Sequence, residues 1–169
     1  MARRGCVVPA LLLGFVLLPG GAVAERPSPP GQLALAIAAS DTDAFIDEWA
    51  STQSTHAPVI HLVHEIAREK PLYVAFIVSG HLHDASGRAQ VDVDWVVRRP
   101  DGKVDHAEQS YAKLRGKACF GHGFVMADPA LTYGFDPTDP AGVWRIEATA
   151  HDRVNGKTAA AVYSISLTK

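Results

Sequence analysis

The chain has 169 residues, with 16 Lys and Arg against 18 Asp and Glu, eight His and only two Cys. A formal charge of −2 offers no basic surface for nucleic-acid phosphates, and two cysteines cannot build a disulfide scaffold. A hydrophobic fraction of 47% is enough to fill a core and too much for a disordered chain.

The first segment reads as an address. Arg3 and Arg4 precede an apolar run from Val7 to Leu18, and Ala22-Val23-Ala24 supplies a small-x-small site before Glu25. That is the layout of a secretory signal peptide over residues 1–24. The run is shorter than the roughly 20 apolar residues that a membrane-spanning helix needs, so no membrane anchor is expected after cleavage. Loss of Arg3 and Arg4 moves the charge to about −4. Cys6 goes with the leader, leaving Cys119 alone in an oxidising compartment with no internal partner. An unpaired cysteine is usually a small buried apolar residue.

Residues 25–40 open with "ERPSPPGQ" and read as a proline-rich tether. A short helix is expected over 41–50, in a segment reaching to 55, with Asp41 and Asp43 at its start. Ala44, Phe45, Ile46 and Trp49 form its apolar stripe. A helix this short is marginal alone, so Phe45 and Trp49 either pack on the remainder of the chain or form an exposed patch for a partner.

From Pro58 the pattern turns to period two. "VIHLVHEI" (59–66) reads as a first strand. "LYVAFIVS" (72–79) is apolar enough for a central strand. In "QVDVDWVVR" (90–98), Val91, Val93, Trp95 and Val97 alternate with polar residues. The "RPDGK" turn (99–103) is a strong hairpin signal. One or two irregular edge strands are expected over 104–114. "GKACFGHGF" (116–124) carries three glycines and reads as a bulged loop. "ALTYGFD" (130–136) recovers an alternation, followed by the Asp-Pro loop 136–142. "VWRIEATAHD" (143–152) and "AAAVYSISLT" (159–168) then flank a turn at Asn155-Gly156. About seven short strands joined by Gly, Pro and Asn turns predict an all-β, immunoglobulin-like antiparallel β-sandwich over 56–169.

The closing segment "DPAGVWRIEATAHDRVNGKTAAAVYSISL" resembles the last hairpin of bacterial extracytoplasmic immunoglobulin-like domains. The chain from about 45 to 169 is similar to small secreted or periplasmic proteins of that type, with a tryptophan-bearing N-terminal helix and a "PDGK" turn. The resemblance implies a fold and a compartment, and carries no site residue with it.

The chemistry legible in the sequence is sparse. "GHLHDASGRAQVDVDW" (80–95) is the sharpest feature. If 72–80 and 89–98 pair through a turn at 84–87, then Ser79 lies near Asp92, His81 lies near Gln90, and His81 and His83 share a face with Asp92 and Asp94. Imidazole and carboxylate together suit Zn²⁺ or Cu²⁺; solvated rim histidines are the plainer reading. His61 and His64 point to opposite faces of a strand. No Gly-x-Ser-x-Gly, His-Glu-x-x-His, phosphate-cradling loop or Cys-x-x-Cys occurs, and so no enzyme is expected. Cys119 with His122 is the only nucleophile–base pair on offer, and loop capping explains Asp136 and Asp139. The expected function is a monomeric, secreted or periplasmic, cofactor-free binding or accessory protein. Its partner is an unidentified extracytoplasmic protein, and the candidate contact residues are Phe45, Trp49, Phe120 and His122.

Overall fold

The computed structural model describes residues 27–51, 60–116 and 123–168. Among them are nine strands and one helix: β1 (Ala34–Ser40), α1 (Ala44–Ser51), β2 (Glu65–Ala67), β3 (Pro71–Ser79), β4 (Ala89–Arg98), β5 (Val104–Gly116), β6 (Phe124–Met126), β7 (Leu131–Gly134), β8 (Gly142–Asp152) and β9 (Thr158–Thr168). They make two sheets. One runs β1-β3-β6, with β7 on the other half of β3, and the second runs β2-β9-β8-β4-β5. This is an immunoglobulin-like β-sandwich. All pairs are antiparallel except β2 with β9, which is parallel.

The alternation in the sequence becomes the inter-sheet core. Leu72, Val74, Phe76 and Val78 of β3 face Val91, Val93, Trp95 and Val97 of β4, together with Trp144, Ile146, Ala148 and Ala150 of β8 and Tyr163, Ile165 and Leu167 of β9. The hairpins close where turn residues stand. Arg99 N–H donates to Lys103 O (2.9 Å) across the "RPDGK" turn, and Gly102 there has φ +83°. Gly156 N–H donates to Asp152 O (2.8 Å) after Asn155. Val63 N–H donates to Ala39 O (3.0 Å), and the Tyr163 hydroxyl donates to Val63 O (2.7 Å). Burial pushes that phenol up to about 12. The segment before β2 therefore straps β1 to β9.

Several expectations are corrected. Residues 34–40 are a strand hydrogen-bonded along its length to β3, from Ala34 with Ser79 to Ser40 with Tyr73, and the tether reading fails for them. The sandwich begins at 34 instead of 56. Of the described residues 60–66 only Glu65 and Ile66 are strand, where they pair with the end of β9. Residues 104–116, by contrast, meet the expectation of one or two irregular edge strands: they form a single edge strand with a register shift opposite Asp94. The bulge places Ser110 at φ +51° and hangs Ser110 N–H on Asp94 Oδ1 (2.7 Å).

The largest correction concerns β3 and β4, which do not pair: the chain between them crosses from one sheet to the other. Its bend is held by Asp84, whose Oδ1 accepts from Ser86 N (2.8 Å), Ser86 Oγ (2.6 Å) and Arg88 N (3.0 Å). Those donors, the Ser86 hydroxyl foremost, hold the Asp84 carboxyl well below the usual range. The helix forms, starting at Ala44. Ala38 and Ala75 are buried cross-strand partners outside the inter-sheet core cluster, as is Phe45. Ile46 and Trp49 of α1 stand beside Leu114 of β5 and Val125 of β6.

Candidate functional site

Side-chain parity determines where the histidine pair lands. Trp144, Ile146, Ala148 and Ala150 point between the sheets, and Asp152 continues that parity at the end of β8 with 1% exposure. The crossover after β3 brings His81 to this inner corner. Asp152 Oδ2 accepts from Leu82 N (2.9 Å) and its Oδ1 accepts from Val154 N (2.9 Å). His81 is 8% exposed, and its ring centre lies 5.2 Å from that of exposed His83, edge to face. Neither His81 ring nitrogen meets a hydrogen-bonding partner among the described residues. Leaving such a buried group unpaired costs about 1–3 kcal/mol. Burial and the neighbouring His83 lower the His81 pKa, against the opposing pull of the Asp152 carboxylate.

A strap of backbone roofs the corner. Gly31 N–H donates to Gly80 O (2.8 Å), Ser28 N–H donates to Ser79 Oγ (3.2 Å), and Lys157 Nζ donates to Gly31 O (2.6 Å). Residues 28–32 of the stretch that read as a tether therefore lie against the sandwich.

Asp92 and Asp94 stand elsewhere. They point away from the core, on the outer face of the five-stranded sheet, because their neighbours Val91, Val93 and Trp95 point in. His81, His83, Asp92 and Asp94 therefore do not assemble, and the four-residue metal reading is corrected. Both carboxylates are engaged by residues distant in sequence. Arg153 Nε donates to Asp92 Oδ2 (2.8 Å), and the Arg115 guanidinium grips the other oxygen. Asp94 Oδ2 pairs with His151 Nε2 (2.8 Å). Among the described residues no three His, Cys, Asp or Glu side chains converge as metal ligands.

Burial pushes the Asp92 carboxyl up, but the hydrogen bonds and charges of Arg153 and Arg115 outweigh it and leave the pKa below its ordinary 3.8. A carboxylate whose folded-state pKa is depressed stabilises the fold fully above its unfolded value and loses that contribution as pH falls through the folded one. We expect acid unfolding of Asp92→Asn and wild type to differ in slope only below about pH 4. Parallel slopes throughout that range, in melts from pH 6 to pH 2, would remove the double-arginine clamp as a source of stability.

The partner-binding candidates divide. Phe45 is 3% exposed and unavailable for a patch. Phe120, His122 and Cys119 lie outside the described residues. Trp49 is half-buried and lines a cleft of about 360 Å³ with Ile46, Leu114, Val125 and Met126. Lys113, Arg115 and Asp128 also line it. The cleft opens where β5 and β6 part beyond the Lys113–Asp128 bridge, which closes with N–H to O distances of 2.8 and 3.0 Å. Sequence reasoning put Ile46 and Trp49 on one apolar stripe and missed the walls opposite, since Leu114 and Val125 come from strands in different sheets. Exposed Val162 pairs directly with Glu147, which is bound to Arg98 (2.9 Å).

No family model matches the chain, and a search of curated proteins finds no match. Among solved structures it is similar to the CARDB domain, in complex with di-metal ions, of a protein from Pyrococcus furiosus, at 12% identity and a TM-score of 0.41, covering 85% of this chain and 90% of that one. It is also similar to a Niemann-Pick type C2 protein from the Japanese carpenter ant, at 10% identity and a TM-score of 0.38, covering 84% and 97%. These likenesses concern the fold.

Proposed function

We propose that this chain is a bacterial-type, secreted or periplasmic, non-enzymatic binding or accessory protein that docks an apolar side chain of a protein partner in the Trp49 cleft. The carrying observation is the cleft itself, in which a half-buried tryptophan and aliphatic walls lie beside charged groups of both signs. Binding energy at protein interfaces concentrates on such aromatic anchors with polar surroundings. The compartment rests on the basic, apolar and Ala-x-Ala segments of residues 1–24. No helix among the described residues is long and apolar enough to cross a membrane.

The test places a photo-crosslinking residue at position 49 and, as a control, at Val162 on the outer face of the five-stranded sheet. A specific extracytoplasmic protein should be captured at 49 alone. Trp49→Ala should then weaken its affinity by at least about 30-fold, the scale of an interface hot spot. Capture at both positions alike, or affinity unchanged by Trp49→Ala, would reject the cleft as the docking site.

A further inference from the structure

We propose that His81 and His83 form a two-imidazole binding site for a late first-row divalent metal ion, Cu²⁺ or Zn²⁺, at the corner between the sheets, with water completing the coordination. The proposal does not rest on the Trp49 cleft. Three independent observations carry it.

The first is spacing. The ring centres of His81 and His83 are 5.2 Å apart. A metal held about 2.0–2.1 Å from one nitrogen of each ring stands roughly 3.2 Å from each ring centre, so a tetrahedral angle at the ion separates the centres by about 5.2 Å. The separation of the two rings is compatible with both ligating one ion. His83 is exposed and free to turn its nitrogen toward the ion.

The second is the unanswered polarity of His81. The carboxylate and backbone groups that shape the corner have partners: both Asp152 oxygens accept backbone N–H groups, and Gly80 O accepts from Gly31. Both His81 nitrogens, shielded from solvent, have none among the described residues. A coordinate bond would give one of them its partner.

The third is the electrostatic setting. The Asp152 carboxylate, 1% exposed, lies at the same corner, where it accepts from Leu82 N, and a negative charge there favours a cation. Lys157 Nζ donates to Gly31 O. Copper(II) leads the affinity order for nitrogen ligands, so it is the sharper probe.

The experiment titrates CuCl₂ into EDTA-treated, dialysed protein, following heat of binding, copper spectroscopy for nitrogen ligation, and thermal unfolding. Expected is a single saturable equivalent with two nitrogen ligands and a melting temperature raised by several degrees at about 100 times Kd. His83→Ala should lose at least tenfold in affinity while leaving the metal-free melting temperature near wild type, because the residue is exposed. His81→Gln should lose the same, and His151→Ala, whose ring is held by Asp94, should change nothing. Absence of an equivalent at tenfold metal excess overturns the site, as does binding that survives His83→Ala or falls equally in His151→Ala.

Discussion

Trp144→Ala is expected to destabilise the protein by about 3–5 kcal/mol, the range for large aromatic truncations in a core. Trp144 is fully buried, sits edge to face on Phe135 with ring centres 5.1 Å apart, and donates its indole N–H to Pro140 O (3.0 Å). Arg99 lies over its face at 5.9 Å. Truncation opens a cavity where both sheets meet and also leaves the 136–142 loop without its donor. Trp144→Phe keeps a six-membered ring but loses the hydrogen bond and the volume of the pyrrole ring, so a smaller loss, about 1–3 kcal/mol, is expected. Urea unfolding followed by circular dichroism measures both. A Trp144→Ala loss under 1 kcal/mol would mean that this indole does not anchor the core.

Gly80→Ala is the second large effect, expected at about 2–4 kcal/mol. Gly80 has φ +68°, and a Cβ built there would lie 2.1 Å from Gln32 O. An alanine incurs the left-handed backbone penalty of about 1–2 kcal/mol and must also push the strap away, at a cost like that of overpacking, roughly 1–3 kcal/mol. The strap is backbone at this point and has no rotamer to yield. Displacing it should break the Gly31–Gly80 and Ser28–Ser79 hydrogen bonds and expose residues 27–32 to proteolysis before the sandwich unfolds. Equal cleavage rates for variant and wild type would show that the strap does not depend on this contact.

The long strands were legible because each buries one face against water, and burial writes itself into the sequence as alternation. β3, β4, β8 and β9 all appear within one or two residues of where the period-two pattern places them. β1 was hidden because "ALAIAAS" is built from small residues that favour helix as much as strand. Only its register with β3 makes it a strand, and that partner lies some forty residues away. The β3–β4 pairing failed for a related reason. Neighbouring strands usually pair, and the bend at Asp84 satisfies itself locally whether or not a hairpin follows. The site was least legible of all. Asp92 meets Arg153 and Asp94 meets His151 across 61 and 57 residues, and no local spacing encodes such encounters. "His-x-His" was visible, but that His81 is buried beside Asp152 follows only from the end of β8.

The bonding through Val63 has a consequence for how the molecule comes into being. Tyr163 reaches Val63 over 100 residues and Thr168 reaches Ile66 over 102, while β1 lies against β9 across the core. A polypeptide made or threaded from its amino end offers β1 first and β9 last, and β9 is an inner strand flanked by β2 and β8. Until that strand arrives, β2 has no partner, β8 keeps an unpaired edge and the core lacks Tyr163, Ile165 and Leu167. Such distant contacts slow folding and prolong the exposure of unpaired edges. Vectorial synthesis therefore leaves the sandwich unclosed until the eleven-residue β9 emerges, and its unpaired edges need protection until then.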